Sequence, residues 1–211
     1  MEVLDAIAKR RSVKHYDGEH KLTEQEIRTL LNAAALAPTS FNMQNRHFVV
    51  VTDQEVKDRL HAAAWGQDQV RDAALVVAVT GAMKAHLKTD RYLREAPDAV
   101  RQQFEPLILK FYGGKDTLLR DEACRSVGLA AMNLMLTAST LGYASCPLIG
   151  FDPAKVSEIL GLDADHPPLM LVVIGKGVQP ARPRMGLLEF EEQVSVDRFG
   201  NHAITGSVDG G

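Results

Sequence analysis

The chain has 211 residues, enough for one domain with a substantial hydrophobic core and no need of disulfides. Its formal net charge of −3 argues against a nucleic-acid surface, which needs an excess of Lys and Arg. Glu2 and Asp5 are acidic where a secretion signal is basic, and the most apolar stretch, residues 123–141, is too polar for a membrane span. We therefore expect a cytoplasmic protein that binds neither nucleic acid nor membrane.

Helix signals dominate the first part of the chain. Apolar residues recur at helical spacing within residues 2–10. Residues 23–26, Thr-Glu-Gln-Glu, form a capping box that begins a second helix, and Pro38 ends it. Asp53 begins a third helix.

Three apolar runs predict β-strands. Residues 48–52, 75–80 and 169–174 are rich in β-branched residues and do not alternate with polar ones. Such runs are typical of strands that are covered on both faces. The sequence therefore predicts an α+β domain, with a sheet flanked by helices.

The part of the chain between the second and third predicted strands is mostly helical in character. Residues 83–116 mix charged with apolar residues, and Pro97 and Pro106 interrupt the pattern, which predicts two short helices that form a mobile lid. Residues 121–141 are apolar on nearly all sides, as in a helix at the centre of a domain or in a subunit interface. Asp152 begins a short helix before the last strand. Residues 142–151, between these two helices, read as a loop.

The cysteines and histidines do not indicate a metal site. Cys124 and Cys146 form no C-x-x-C pair, and we expect two free thiols, with Cys124 in a buried apolar position. No two of the seven histidines stand at the helical i, i+4 spacing of a zinc site. No G-x-S-x-G motif indicates a serine hydrolase.

Two basic clusters stand near opposite ends of the chain. Arg10, Arg11 and Lys14 follow the first predicted helix, and Arg182 and Arg184 follow the last predicted strand. The fork of an arginine side chain matches phosphate oxygens, and the sequence offers no glycine-rich phosphate loop in its place. If a phosphorylated ligand binds, arginines from both ends must hold it.

Two loops carry polar groups whose role the sequence of each loop alone does not decide. Residues 38–44 carry hydroxyl and amide side chains that either contact a ligand or satisfy nearby backbone groups. Residues 142–151 include Gly150, which is either part of a turn or a position where the backbone N–H approaches a ligand closely. Neither loop is specific when taken alone.

Together, and in this order, four segments resemble the FMN-dependent nitroreductase family. They are Arg-Arg-Ser-x-Lys at 10–14, Pro-Thr-Ser-x-Asn-x-Gln at 38–44, the run 147–151, and Arg-Pro-Arg at 182–184. The resemblance implies a nitroreductase-like α+β fold with a central mixed or antiparallel sheet, in an intertwined homodimer. We expect one FMN-binding domain over residues 1–211, with a helical lid at 83–116 and a frayed tail at 200–211.

The resemblance also implies roles for individual residues. Those expected to hold the FMN phosphate and ribityl chain are Arg10, Arg11, Ser12, Arg182 and Arg184. Those expected to contact the flavin of the partner subunit are Thr39, Ser40, Asn42 and Gln44. Lys14 is expected near flavin N1, and Gln67 and Gln69 near the flavin ring. The backbone N–H of Gly150 is expected to face flavin N5, next to Pro147, Leu148 and Ile149.

The implied reaction is a ping-pong transfer of two electrons. NADH or NADPH reduces FMN, and a nitroaromatic, a quinone or another conjugated acceptor is then reduced in turn. The alternatives are another flavin reaction on the same fold, such as reductive dehalogenation or flavin destruction, and a flavin-free interaction dimer. Two positions depart from the family pattern. Asn45 and Arg46 replace a Pro-Trp pair, and Ile149 replaces a glutamate, which makes the pocket wall more apolar.

Overall fold

The computed structural model describes residues 2–206, so that residues 207–211 of the predicted tail lie outside the described part. The helices are α1 (Val3–Lys9), α2 (Glu24–Ala35), α3 (Gln54–Ala63), α4 (Asp68–Asp72), α5 (Thr89–Tyr92), α6 (Asp98–Tyr112), α7 (Asp116–Thr140), α8 (Pro153–Leu160) and α9 (Phe190–Gln193). Short 3₁₀ turns are formed by Ser40–Asn42 and Ala85–Leu87. The strands are β1 (Arg46–Val51), β2 (Leu75–Gly81), β3 (Ala144–Leu148) and β4 (Pro168–Gly175).

The four strands form one antiparallel sheet in the order β1-β2-β4-β3. This arrangement confirms the predicted α+β class. The central strand β2 is buried along its whole length, as its β-branched run predicts. β1 lies at an edge of the sheet and is fully buried only at its two end residues, but Val49 packs against the core on one face and Phe48 and Val50 against the core on the other, so β1 too is covered on both faces.

Helices cover both faces of the sheet and divide the core into two layers. One layer packs α3, α4 and α8 against side chains such as Val76, Leu171 and Val173. The other packs α2 and α7 against Val77 and Val172, which pair across β2 and β4. Successive strand residues point to opposite faces, so each β-branched run supplies both layers.

The prediction of a loop over residues 142–151 is wrong for its first half, because β3 occupies Ala144–Leu148. Pro147 has no N–H to donate and is therefore a poor strand residue in the interior of a sheet. It is tolerated here because, of the four strands, β3 pairs with β4 alone and forms an edge of the sheet. Gly142, with φ +84°, follows the end of α7, as its place in the sequence predicts.

The lid region is more helical than the prediction of two short helices. The 3₁₀ turn and α5 are followed by α6, which continues through Pro106. Proline removes one helical hydrogen bond, but Ile108 and Tyr112 of the same helix are fully buried against other apolar residues of the lid. Burial on this face therefore maintains the helix. The mobility of the lid stays a prediction.

Helix α7 begins at Asp116, five residues before the predicted start, and runs through the centre of the domain. Its inward face includes Ala123 and Val127, whereas Cys124 points away from the sheet and is exposed. The expected burial of Cys124 is therefore wrong. Within residues 2–206, none of the helices has the combination of length and apolar character that a membrane crossing requires.

A hydrogen-bond network ties the start of α2 to the end of α7. Thr23 caps α2, and the Glu26 carboxylate accepts from the Thr23 N–H at 2.8 Å and from the Thr23 hydroxyl at 2.7 Å. The Tyr143 hydroxyl, just after α7, donates to Glu26 at 2.6 Å. This donation, with those of Thr23, lowers the pKa of Glu26 to about 2 and raises that of Tyr143 to about 12.

We expect the Glu26 network to stabilise the fold only while the carboxylate is charged. The folded-state pKa is lowered, so the contribution is complete above the ordinary pKa of about 4.5 and is lost as pH falls towards about 2. In urea unfolding, Glu26→Gln should lower the free energy of unfolding at pH 6, and its difference from wild type should shrink below pH 4.5. Glu24→Gln, in the same turn, is the control. If the free energies of unfolding of Glu26→Gln and wild type differ as much below pH 4.5 as at pH 6, the assignment is wrong.

Candidate functional site

A cavity of about 740 Å³ lies where the two ends of the chain meet, a volume typical of small-molecule sites. Its lining residues are Arg10, Arg11, Ser12, Lys14, His15, Gly66, Gln67, Asp68, Gln69, Arg182, Arg184, Met185 and Gly186. We call it the basic cavity. Eight of the sequence-predicted site residues therefore meet here: Arg10, Arg11, Ser12, Lys14, Gln67, Gln69, Arg182 and Arg184.

The N-terminal wall of the basic cavity is an extended segment fixed by backbone hydrogen bonds. The N–H of Val13 donates to the carbonyl of Ser145 in β3 at 3.1 Å. The N–H of Val178 donates to the carbonyl of His15 at 3.0 Å, beyond the end of β4. Residues 10–17 thus lie across the ends of β3 and β4, and their basic side chains take fixed positions after α1.

Gly175 at the end of β4 allows this close packing. A Cβ at this position would lie 2.8 Å from the backbone nitrogen of Ala74 and 3.1 Å from the Tyr16 ring. The first contact is closer than a side chain tolerates, and the second would require a small shift of the ring. The buried Tyr16 ring therefore packs directly on the strand backbone and holds the basic segment against the sheet.

The charge of the basic cavity is strongly positive in a chain whose net charge is −3. Five cationic side chains line it, namely Arg10, Arg11, Lys14, Arg182 and Arg184, with Asp68 as the single carboxylate of the lining. Asp68 already forms an ion pair with Arg71 at 3.1 Å, and its carboxylate lies 3.3 Å from Nε2 of His61. Within residues 2–206, none of the five cations forms an ion pair with a carboxylate. Such a site attracts an anion.

Two arginine side chains join the chain ends at the rim of the cavity. The Arg11 guanidinium donates to the carbonyl of Arg182, and the Arg184 guanidinium donates to the carbonyl of Ala8 at 3.1 Å. The buried Nε of Arg10 has no hydrogen-bond partner in the described part of the chain. A guanidinium with an open donor can bind a phosphate or carboxylate oxygen.

The opposite wall is built by a chain of amide groups. The Gln69 side chain is buried and donates to the side-chain oxygen of Gln67 at 2.9 Å. The Gln67 amide donates in turn to the carbonyl of Gly150 at 2.7 Å and to that of Ala64 at 3.2 Å. Gly150 is therefore hydrogen-bonded to the cavity wall through Gln67, although it is not itself one of the described residues that line the cavity. Both glutamines have fixed orientations, so they can position a polar ligand edge.

Five cavity residues were missed in the sequence, namely His15, Gly66, Asp68, Met185 and Gly186. The adjacent Trp65 was missed as well. It is the single tryptophan of the chain, it is 70% exposed, and it has a left-handed φ of +57°. A Trp-Gly pair just after a helix was the available signal, because a glycine there often ends a helix. The unusual backbone of Trp65 could not be read from the sequence.

The polar loop 39–44 lies elsewhere in the single chain. Among the described residues that line the basic cavity, none comes from this loop, so Thr39, Ser40, Asn42 and Gln44 do not meet the basic clusters within one subunit. The loop instead contacts the lid through Asn42, whose side chain donates to the carbonyl of Tyr92 at 3.2 Å.

The residues before Gly150 have separate environments. Pro147 is half-buried in β3, and Leu148 is buried in the core layer of α3, α4 and α8. Ile149 is 78% exposed and follows directly on β3. The side chain of Leu148 is thus engaged in the core, whereas Ile149 is available to a ligand or a partner.

The departure at Asn45 and Arg46 has a structural reason. Arg46 is only 6% exposed, and its guanidinium donates to the carbonyls of Ala35 at 2.7 Å and Ala37 at 2.9 Å. Helix α2 ends at Ala35, and these carbonyls have no partner within the helix. Burial lowers the pKa of Arg46, and the two hydrogen bonds from one terminal nitrogen offset only part of the desolvation cost, because the other terminal nitrogen is buried without a partner among the described residues. Arg46 thus closes the C-terminal end of α2.

Comparison with known proteins agrees with this geometry. A family model described as "Nitroreductase family" matches residues 7–176. The chain belongs to the nitroreductase family. Within the described part of this nitroreductase-family chain, no group of three or more His, Cys, Asp or Glu could hold a metal ion.

Individual relatives of this nitroreductase-family chain cover most of its length. Protein DrgA of Synechocystis sp. is 45% identical over 182 residues, which are 86% of this chain and 87% of DrgA. MhqN of Bacillus subtilis, with the provisional name NAD(P)H nitroreductase, is 34% identical over 87% of this chain and 93% of its own. A protein of Exiguobacterium sibiricum 255-15, provisionally classed as a nitroreductase and crystallised with FMN, has a TM-score of 0.80 and 32% identity over 89% of this chain and 94% of its own.

We expect Gly150→Ala to disturb the amide wall of the cavity. The new Cβ would lie 3.3 Å from the Trp65 ring and 3.4 Å from the Gln67 side-chain nitrogen, so one of them must shift. Because Trp65 is the single tryptophan, its emission reports the shift. Gly128→Ala is the control, since its Cβ would meet nothing within 4 Å. Unchanged Trp65 emission in Gly150→Ala would contradict this packing.

Proposed function

We propose that this protein is an FMN-dependent NAD(P)H oxidoreductase that reduces nitroaromatics, quinones or related conjugated acceptors, two electrons at a time, in a ping-pong cycle. The observation that carries the proposal is the set of five cations that line one cavity of about 740 Å³ and form no ion pair with a carboxylate of the described chain. The FMN complex of the Exiguobacterium relative and the NAD(P)H nitroreductase name of MhqN support the choice of cofactor and donor.

The residues present fit a phosphorylated flavin. Arg10 offers a buried Nε without a partner, and Arg182 and Arg184 approach from the other end of the chain. A phosphate group carries between one and two negative charges at neutral pH, which several arginines can share through short charge-assisted hydrogen bonds. Ser12 adds a hydroxyl at the same wall. We propose that these residues hold the phosphate and the ribityl chain.

The remaining polar residues of the cavity would surround the flavin ring. When bound, FMN would supply the hydride chemistry, accepting from the nicotinamide and passing electrons to the acceptor. Lys14 would stabilise negative charge that develops on the ring, because no carboxylate of the described chain neutralises its ammonium group. Gln67 and Gln69 would fix the ring orientation through their locked amides. The absent side chain of Gly150 lets Trp65 and Gln67 pack against its backbone, which keeps Gln67 in place.

We propose that the working unit is a homodimer in which the loop 39–44 of one subunit completes the site of the other. Large apolar side chains are exposed on three elements of the single chain: Val3, Leu4 and Ile7 of α1, Leu129 and Met132 of α7, and Met185, Leu187, Leu188 and Phe199 of the C-terminal segment. Exposed apolar surface of this extent is typical of a subunit interface. Light scattering tests the dimer, and a monomeric mass for FMN-loaded protein at low micromolar concentration would reject it.

We place the enzyme in the cytoplasm, where NADH and NADPH are supplied. Both cysteines are free thiols, as expected in a reducing compartment. Export of the full-length protein to an oxidising compartment, seen by cell fractionation, would contradict this placement.

The visible spectrum of the purified protein tests the function. We expect a yellow protein whose flavin absorbance bleaches on anaerobic addition of NADH or NADPH and returns when an acceptor is added. A panel of nitroaromatic, quinone and halogenated aromatic acceptors then separates reduction of conjugated acceptors from dehalogenation. A colourless protein that fails to bind FMN would favour a flavin-free dimer and reject the proposal.

We expect Arg10→Ala and Arg184→Ala to weaken FMN binding by about ten- to a hundredfold. A hydrogen bond to a charged group contributes roughly 1.5 to 3 kcal/mol, which gives this factor. Riboflavin lacks the phosphate, so its affinity should hardly change. Arg28→Ala, exposed on α2, is the control. Wild-type FMN affinity of both variants in a fluorescence titration would reject the phosphate assignment.

A further inference from the structure

The loop 39–44 has an unusual backbone. Phe41, Asn42 and Gln44 have left-handed φ values of +52°, +55° and +46°, although none of them is a glycine. This region of φ is unfavourable for residues with a side chain, and a loop with three such residues needs contacts from elsewhere to hold it. One contact is internal, since the N–H of Gln44 donates to the Thr39 hydroxyl at 3.0 Å.

The other contacts come from the lid. The hydroxyl of Tyr112, the last residue of α6, donates to the Ser40 hydroxyl at 2.8 Å, and the Tyr112 side chain is only 1% exposed. The Asn42 side chain donates to the carbonyl of Tyr92, at the end of α5. The Phe41 ring stands nearly perpendicular to those of Phe104 and Tyr112, with centroids 6.0 Å and 6.2 Å away. Three successive loop residues are therefore held by the lid.

The direction of the Tyr112 hydrogen bond matters for a ligand. A phenol is a stronger acid than an aliphatic alcohol, so Tyr112 donates and the Ser40 oxygen accepts. The hydrogen of the Ser40 hydroxyl is then free to donate to an acceptor atom outside the loop. Ser40 itself is half-buried, which leaves its hydroxyl within reach of a ligand edge.

We propose that Tyr112 is a positioning residue for the loop 39–44, so that the lid and this loop form one coupled unit. The proposal rests on the proposed function, in which the loop contacts the flavin of the partner subunit. Tyr112 touches no ligand itself. It holds the backbone of the loop in the left-handed conformation and orients the Ser40 hydroxyl. Displacement of α6 therefore loosens the flavin contact made by the loop.

Two conservative variants separate this role from general packing. Tyr112→Phe removes the hydroxyl that holds Ser40 and keeps the ring. Tyr92→Phe is the matched control, since its ring lies in the same cluster and its buried hydroxyl has no hydrogen-bond partner within the described residues. The carbonyl of Tyr92 that accepts from Asn42 belongs to the backbone and survives the change.

Hydrogen exchange of the full-length protein measures the loop directly. The amides of Asn42, Met43 and Gln44 all donate within the loop, so their exchange reports its opening. We expect Tyr112→Phe to speed their exchange about three- to tenfold over wild type, as the loss of one hydrogen bond implies, and Tyr92→Phe to leave it unchanged. Equal exchange in the two variants would overturn the coupling of lid and loop.

FMN titration of the same variants measures the consequence. The dissociation constant should rise by a similar factor in Tyr112→Phe and stay unchanged in Tyr92→Phe. Ser40→Ala should raise it at least as much, since it also removes the hydroxyl that faces the ligand, and Tyr112→Phe should add nothing in the Ser40→Ala background, because Tyr112 acts through Ser40. A loop that opens without any change in FMN affinity would overturn the positioning role. Failure of the proposed function appears separately, as a wild-type protein that binds no FMN.

Discussion

Repulsion among the cations of the basic cavity is the constraint on which the arrangement of the chain ends depends. Two like charges about 8 Å apart repel by about 1 kcal/mol even at an effective dielectric constant near 40. Arg11 and Arg184 offset part of this cost by donating to backbone carbonyls across the two ends. The acceptor of Arg184 is Ala8, in the last turn of α1, where helix carbonyls lack partners and carry partial negative charge. A bound anion relieves the remaining repulsion, so ligand binding and closure of the chain ends reinforce each other.

The opposite wall of the basic cavity, formed by Gln67 and Gln69, depends on a buried lysine. Lys57 of α3 is 0% exposed, and its ammonium group donates to the carbonyl of Ala73 at 2.8 Å, at the end of α4. Burial lowers the pKa of Lys57, so the contact costs desolvation energy. In return, it fixes the short helix that carries Gln69 and thereby the amide chain to Gly150. A five-residue helix such as α4 is too short to be stable alone, and the hydrogen bond from the buried Lys57 adds to its stability.

The sequence was sufficient where a local pattern decides the structure. The capping box at Thr23 and the β-branched run of β2 are signals of this kind, and the structure places both as expected. The two basic clusters, which stand far apart in the sequence, line one cavity, and their role in binding phosphate stays a prediction. It was insufficient where tertiary packing overrides a local preference. Pro147 lies in an edge strand, where it is tolerated, and Pro106 lies inside α6, where burial of the same helix offsets the lost hydrogen bond. Both positions depend on tertiary packing, which a single sequence does not show. The left-handed backbone of Trp65 is of the same type, since its neighbours impose a conformation that its own residue type disfavours.

The chain does not bring the loop 39–44 to the basic cavity. The basic cavity is built by the chain ends and α4, whereas the loop 39–44 is held by the lid. Strained backbone persists only where the surrounding structure enforces it, and here it exposes the side chains of Asn42 and Gln44 rather than burying them. A two-fold symmetric interface repeats every contact twice, so a second copy of the chain would supply each cavity with one such loop. The exposed apolar faces of α1 and α7 provide a reason for that second copy to bind.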